Sequence, residues 1–164
     1  MNYVIDGYNL FFRIEDEINP LEKKRELFIA ALNDALETLH LHATLIFDSH
    51  HSHASIFPTK KALSALEIIF SPEGLSADEY ILERLRVEKR PQTQIVVTSD
   101  RELGGRAKHL GARTKTIESF FKMLSERKAK KTSLKDEKMQ KESSSHFDRL
   151  LHAFEKKLHD ESSD

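Results

Sequence analysis

Short apolar runs alternate with longer segments of helical periodicity along most of the chain. Five runs rich in β-branched and aromatic residues predict strands, and turn-forming or polar residues bound them. Between these runs, apolar residues recur three or four positions apart, which is typical of amphipathic helices. The predicted strands cover residues 2–5, 43–47, 67–70, 94–98 and 112–116, and the predicted helices cover residues 20–39, 76–90, 101–110, 117–127 and 146–159.

Local signals support several of these boundaries. Asn19 followed by Pro20 is typical of a helix start. Ser76, with a glutamate three residues later, has the pattern of a capping box. The first strand ends on Asp6-Gly7, which predicts that it delivers an acidic side chain to a loop.

Alternating strands and helices predict an α/β fold with a mostly parallel central sheet flanked by helices, because parallel neighbours need crossover connections. Ligands bind such sheets beyond the carboxyl ends of the strands. The chain has 164 residues, which suits one domain, and we expect it to span residues 1–127. Residues 128–145 are rich in Lys, Glu and Ser, which predicts a flexible linker before a C-terminal amphipathic helix and tail at residues 146–164.

The composition of the chain excludes several kinds of chemical site. The chain has no cysteine, which excludes disulfides, thiolate metal sites and a cysteine nucleophile. Residues 122–142 hold eight Lys or Arg against four Asp or Glu, whereas residues 1–121 hold 15 against 18. The net charge of −1 therefore conceals an acidic body and a basic segment. No apolar run is long enough to span a membrane and no signal-peptide pattern opens the chain, so we expect a cytoplasmic protein without a membrane partner.

Acidic residues stand at the ends of the predicted strands. Asp6, Asp48 and Asp100 each follow a strand directly, and Asp78 begins the helix after another strand. Parallel strands would bring all four to one edge of the sheet, where their mutual repulsion favours a bound cation. Carboxylates without cysteine favour Mg²⁺ or Mn²⁺, and such a site suits phosphodiester hydrolysis. Taken singly, each acid is more often a turn residue or a helix cap, so the prediction depends on their shared placement.

Four short motifs occur in a fixed order along the chain. Together they resemble the YacP-like branch of the NYN domain family, within the PIN-like nuclease fold, over residues 1–125. The resemblance implies a Rossmann-like sheet, a divalent metal ion and endoribonuclease activity. The motifs are Asp6-Gly7-Tyr8-Asn9-Leu10, Phe47-Asp48, the segment of residues 70–81, and Val97-Thr98-Ser99-Asp100-Arg101.

The resemblance also implies roles for the four acids. Asp6, Asp78 and Asp100 match the catalytic acids of the family. The same three residues, together with Asp48, would bind the Mg²⁺ or Mn²⁺ ion. In this interpretation Asp6 and Asp100 hold the ion, Asp78 completes its ligand shell, and Asp48 shapes the site or holds a second ion.

Four polar residues are candidates for contact with a phosphate. Asn9 and Ser99 match signature positions that, by resemblance, would hydrogen-bond a metal-bound water or a phosphate. Arg101 and Arg106 follow the strand that presents Asp100, where they would contact a phosphate backbone. Exposed charge on a helix explains the two arginines equally well.

The segment after the second strand departs from the family pattern, because it carries His50, His51 and His53. A histidine cluster can bind zinc or donate a proton. In a polar loop without helical spacing, it is more often solvated surface. Substrate contacts in this segment therefore do not follow from the resemblance.

The leading hypothesis is a Mg²⁺- or Mn²⁺-dependent endoribonuclease that acts on single-stranded RNA in mRNA decay or RNA processing. Its candidate partners are mRNA, rRNA and the ribosome. The alternative is a catalytically inactive RNA- or ribosome-binding module of the same fold. A phosphatase of the haloacid type ranks below both, because it needs a second aspartate where this chain has Tyr8. The oligomeric state is left open.

Overall fold

The computed structural model describes residues 1–14, 21–49 and 59–133, which form a six-stranded sheet flanked by five α-helices. A 3-10 turn at Pro91–Thr93 precedes the fifth strand. The strands are β1 (Asn2–Asp6), β2 (Ala43–Phe47), β3 (Thr59–Ala62), β4 (Leu66–Phe70), β5 (Gln94–Val97) and β6 (Arg113–Lys115). The helices are α1 (Gly7–Ile14), α2 (Leu21–Thr38), α3 (Ala77–Val87), α4 (Arg101–His109) and α5 (Ile117–Ser133).

The strands lie in the order β3-β4-β2-β1-β5-β6. All neighbouring strands are parallel except β3, which runs antiparallel to β4 along one edge. From the central β1 the chain proceeds to β2 and β4 on one side, and then to β5 and β6 on the other. The order reverses at β1, so its carboxyl end is the topological switch point where ligands bind such sheets. The predicted α/β class with a mostly parallel sheet is confirmed.

Two apolar cores cover the two faces of the sheet. On one face, Ile5 and Leu45 belong to the core formed with α1, α2 and α5. On the other face, Val4, Ile46 and Val96 pack with α3 and α4. Successive residues of the central strands enter opposite cores, which explains why these strands are apolar throughout. No helix among the described residues combines the length and apolarity needed to cross a membrane.

Several predicted boundaries agree with the structure. β2 has the predicted range, and α2 differs from its prediction by one residue at each end. The capping box of α3 is present: Glu79 N donates to Ser76 Oγ at 3.1 Å, and Ser76 N donates to Glu79 Oε2 at 3.0 Å. α3 ends at Val87 rather than at Arg90: Glu88 already has extended backbone, with φ −73° and ψ 124°, and Pro91 disfavours helical geometry at Arg90.

The prediction of a loop after Asp6 is wrong, because α1 begins at the next residue. Asp6 Oδ1 accepts a hydrogen bond from Asn9 N at 3.2 Å, so the acid caps the helix that follows it. A Cβ at Gly7 would lie 2.6 Å from the Phe47 ring and 2.9 Å from the carbonyl oxygen of Ile46. The glycine therefore permits close contact between α1 and β2, and it does not form a turn.

Strand β3 was not predicted from the sequence. Its residues show no alternation of apolar and polar side chains, and all four are exposed. Pairing with β4, in which Lys60 lies opposite Ile69, places the segment in the sheet. A strand that buries no side chain leaves no periodic signal in the sequence.

Helix α5 extends beyond its predicted end at residue 127 and continues to Ser133. Alanine and lysine are strong helix formers, and Lys131 Nζ donates to the carbonyl oxygen of Thr38 at the end of α2. The first residues of the predicted linker are therefore helical. Residues 134–164, which hold the rest of that linker and the predicted terminal helix, lie outside the described residues. The division of the chain into segments at residues 127 and 145 stays a prediction.

Substitution of Gly7 tests the contact between α1 and β2. The methyl group of Gly7→Ala would overlap the Phe47 ring, so we expect the free energy of unfolding to fall by about 1–3 kcal/mol. Gly104→Ala is the matched control: no atom lies within 4 Å of a Cβ there, apart from the backbone of its own helix, and alanine should stabilise α4 by about 1 kcal/mol. Urea denaturation measures both changes. A Gly7→Ala protein as stable as the wild type would contradict the steric explanation.

Candidate active site

The four predicted acids lie at the carboxyl edge of the sheet, around the switch point. Asp6 ends β1, Asp48 follows β2, Asp100 follows β5, and Asp78 lies in the first turn of α3. Asp6 interacts electrostatically with Asp78 and Asp48, and Asp78 interacts with Asp100 and Asp48. The fold therefore brings together the four acids that the sequence places at separate strand ends.

Asp6 is the most buried of these acids, with 8% of its surface exposed. Burial raises its pKa to about 7, the hydrogen bond from Asn9 N opposes this rise, and the negative charges of Asp78 and Asp48 add to it. Asp6 also shares a side-chain hydrogen bond with Asp78. Such a bond between two carboxyl groups requires one proton, and it favours the protonated form of Asp6.

Asp78 lies closer to the surface than Asp6. Burial raises its pKa, and the charge of Asp100 raises it further. The hydrogen bond from Asp6 and the positive charge of Arg106 lower the pKa in part. Arg106 therefore lies near enough to Asp78 to offset some of the negative charge at this edge.

Backbone N–H groups at the starts of two helices hold the other two acids. Asp48 Oδ1 accepts a hydrogen bond from Ala77 N at 2.5 Å, at the start of α3. Asp100 Oδ1 accepts from Glu102 N at 2.7 Å and from Leu103 N at 3.1 Å, and so caps α4. The positive ends of both helices face the acids, which stabilises negative charge there.

Asn9 joins the ends of two neighbouring strands. Its backbone N donates to Asp6 Oδ1, and its side-chain Oδ1 accepts from Ser99 N at 2.9 Å. Ser99 Oγ lies 3.4 Å from Glu118 Oε2, to which it donates a weak hydrogen bond. Asn9 and Ser99 thus link the ends of β1 and β5, and their predicted contact with a phosphate stays a prediction.

The two predicted phosphate-binding arginines occupy different positions on α4. Arg106 interacts with Asp78, and its Nη1 lies 3.9 Å from Glu102 Oε1 in an exposed ion pair. Arg101 is exposed, and among the described residues no ion pair joins it to any of the four acids. Of the two, Arg106 is the one that the structure places beside the acid cluster.

Glu118 is a fifth acid at the same edge, and it was not predicted from the sequence. It lies in the first turn of α5, directly after the parallel strand β6, and contacts Ser99. The rule that identified Asp78, an acid in the first turn of the helix after a strand, would have found it. The three predicted loop histidines, His50, His51 and His53, lie outside the described residues.

The model of the YacP-like NYN domain family matches residues 3–162 of the chain. The chain belongs to the YacP-like NYN domain family. Two solved structures of Rae1 (YacP) from Bacillus subtilis are similar to it. One, of a mutant protein, has a TM-score of 0.62 at 16% identity and covers 99% of each chain. The other has a TM-score of 0.61 at 22% identity and covers 82% of this chain and 80% of that chain. No curated protein matches the chain.

Membership of the YacP-like NYN family confirms the resemblance predicted from the motifs. The match extends well beyond the 125 or so residues that carry the motifs, into the predicted C-terminal extension. The family has a nuclease-type fold associated with RNA. At the identities above, the solved structures establish the fold of this chain and nothing about its reaction.

Nucleases of this fold generally use divalent metal ions. The acids of this YacP-like domain suit such an ion in kind, because four carboxylates offer a hard cation only oxygen ligands. In the part of the chain that the structure describes, however, no three Asp, Glu or His side chains are placed to hold an ion as they stand. An ion bound by both carboxylates would compete with protonation of Asp6, whose pKa is raised.

The raised pKa of Asp6 predicts a pH-dependent effect of Asp6→Asn on stability. The unfolded protein ionises Asp6 near its ordinary pKa of 3.8 and the folded protein near 7, so the stability of the wild type decreases between these values as pH rises. Asparagine resembles the protonated acid at every pH. In EDTA, we expect Asp6→Asn to be more stable than wild type by about 2–4 kcal/mol at pH 8, and by much less at pH 4.5.

Urea denaturation of both proteins at the two pH values measures this difference. Asp34→Asn, which removes an exposed acid on α2, is the control and should change stability little at either pH. An Asp6→Asn protein with the same stability gain at pH 4.5 and at pH 8 would show that Asp6 ionises normally.

Proposed function

We propose that this YacP-like NYN domain protein is a Mg²⁺- or Mn²⁺-dependent endoribonuclease that hydrolyses phosphodiester bonds of single-stranded RNA. One observation carries the proposal: Asp6, Asp48, Asp78 and Asp100 come from four different elements and interact at the topological switch point. Helix capping accounts for each acid separately, but it does not require them to gather at one point. A nuclease-type fold associated with RNA supports the choice of substrate.

The acids divide into a central pair and two flanking residues. Asp6 and Asp78, which contact each other directly, would bind the ion, with Asp48 and Asp100 beside them. When bound, the ion would supply Lewis-acid stabilisation of the charge that develops on the phosphodiester. The helix N-termini that hold Asp48 and Asp100 keep these side chains oriented before substrate arrives.

Arg106 supports the assignment of a phosphate substrate. Its guanidinium group is exposed, apart from its pairing with Glu102, and acts on Asp78. A guanidinium group at this position can donate two hydrogen bonds to the non-bridging oxygens of a phosphate. Arg106 would thereby place a phosphodiester against the acids, whose own charge would otherwise repel it.

We further propose that the protein is cytoplasmic and that its partners are mRNA or rRNA, with the ribosome as a candidate partner. A cysteine-free chain and a basic segment at residues 122–142 support this assignment. Counterion release by basic residues favours binding to polyanions in general. The choice of RNA over DNA depends on the family.

The second candidate function is an RNA- or ribosome-binding module without catalytic activity. It is favoured by the finding that, within the described ranges, no three acidic or histidine side chains are placed to hold an ion as they stand. The two candidates differ in their response to Mg²⁺. A nuclease cleaves only when the ion is present, whereas a binding module retains RNA with or without it.

Substitution of the acids tests the nuclease. With Mg²⁺ present, we expect Asp78→Asn and Asp100→Asn each to slow RNA cleavage by about 100- to 1,000-fold, because each removes a negative charge that would help to bind the ion. Asparagine at position 100 keeps the helix cap, so that variant should remain folded. Cleavage of a fluorescent single-stranded RNA, measured with Mg²⁺ and again after EDTA, gives the rates.

Asp34→Asn serves as the control, because it removes the same charge from an exposed position on α2. It should cleave like wild type. If Asp78→Asn or Asp100→Asn retained the wild-type rate, or if EDTA had no effect, the acid cluster would not be the catalytic site. Persistent RNA binding without any cleavage would favour the binding module.

A further inference from the structure

A cationic side chain lies on an aromatic surface at the same edge of the sheet. The guanidinium carbon of Arg25, in the second turn of α2, is 5.4 Å from the ring centroid of Phe70 and 5.7 Å from that of Phe47. Both distances are typical of cation–π contact. The two rings stack with their centroids 5.6 Å apart, and Tyr8 packs edge-on against Phe47 at 5.1 Å. We call these four residues the Arg25 cluster.

The Arg25 cluster adjoins the acids. Phe47 is the last residue of β2 and immediately precedes Asp48. Burial raises the pKa of the Tyr8 phenol, the positive charge of Arg25 and a side-chain hydrogen bond with Arg25 lower it, and the charge of Asp48 raises it. Arg25 and Asp48 therefore both lie within electrostatic reach of one hydroxyl group.

Arg25 and Arg106 lie on opposite sides of the acids. Arg25 covers the ends of β2 and β4, whereas Arg106 belongs to the helix that follows β5. In the sheet order, β2 and β1 separate β4 from β5, a distance of about 14 Å at the usual spacing of strands. An extended polyanion that crosses the acids would therefore meet a guanidinium group on each side.

Arg25 has a structural role in its hydrogen bond with Tyr8, but packing on the two rings does not itself require a charge at position 25. A leucine or methionine would cover the faces of Phe47 and Phe70 without bringing a cation to a half-buried position. A guanidinium group that stacks on aromatic rings keeps a fixed plane, and its N–H groups point outward from the edge of that plane. This arrangement is suited to bidentate contact with a phosphate.

We propose that Arg25 binds a backbone phosphate of the RNA strand on the β2–β4 side of the acids, opposite to Arg106. The Phe47 and Phe70 rings hold its guanidinium group in place. The inference rests on the proposed RNA substrate, and it adds the path of the RNA across the protein. The RNA strand crosses the carboxyl edge of the sheet from the Arg25 cluster toward α4.

The test measures RNA binding by the full chain, with Asp100→Asn present in every protein so that RNA survives. Fluorescence anisotropy of a short labelled single-stranded RNA gives affinities between about 50 and 200 mM salt. We expect Arg25→Gln to weaken binding about 5- to 30-fold. It should also reduce the slope of log affinity against log salt by about 0.7, the value for one lost phosphate contact on a single strand.

Arg90→Gln is the matched control. It removes the same charge from an exposed residue that precedes β5, at the opposite edge of the sheet, and should leave the slope unchanged. Arg25→Lys keeps the charge but not the planar stacking, so it should weaken binding while keeping the slope. Arg25→Met removes the charge and still covers the rings. It therefore takes the place of Arg25→Gln in the binding measurement if Arg25→Gln does not fold.

If Arg25 were only structural, Arg25→Gln would change the stability of the protein, and its salt slope would equal that of Arg90→Gln. That result would overturn the inference. Cleavage of the same RNA by the protein without Asp100→Asn is measured in parallel. RNA bound through Arg25 but not cleaved would refute the proposed hydrolysis alone. Cleavage with an unchanged slope in Arg25→Met would refute the role of Arg25 alone. A wild-type protein that neither bound nor cleaved RNA would refute both.

Discussion

Repulsion between carboxylates at one sheet edge is the constraint around which this domain is arranged. Three of the four acids accept hydrogen bonds from backbone N–H groups in the first turn of a helix: Asp6 from α1, Asp48 from α3 and Asp100 from α4. Asp78 lies in the first turn of α3 itself. The positive ends of three helices therefore point at the acids, and their partial charges let negative charge gather there. The fold can thus hold the cluster together before any ion or substrate is bound.

The same arrangement requires unusually close packing at β1. Helix α1 starts at the residue after the strand, so its first turn lies against β2 with no intervening loop. Only a glycine fits between Asp6 and the Phe47 ring. The Phe47 ring also contacts the guanidinium group of Arg25. One aromatic side chain thereby links the position of the central acid to the position of a cation at the rim.

Most of the sheet could be predicted from the sequence because its central strands are buried on both faces and are therefore continuously apolar. Gly7 suggested a turn because a sequence cannot distinguish a glycine needed for conformation from one needed for space. Strand β3 has no buried side chain and so no periodicity. The acids were found because parallel strands end at one edge. Arg25 was not found, since it reaches that edge from α2 through contacts with Phe47 and Phe70, which no local pattern encodes.

The direction of α5 determines where the basic segment leaves the domain. The helix starts at the edge that carries the acids, and its Lys131 contacts Thr38 and His40 beside the opposite edge, where β2 begins. Its 17 residues correspond to a length of about 25 Å. The end of α5 at Ser133 therefore lies on the side of the domain remote from the acids. A polyanion that contacted both the acids and the lysines in the last turn of α5, Lys130 and Lys131, would have to pass along the body of the protein. The two regions are therefore suited to distant parts of one long partner rather than to neighbouring nucleotides.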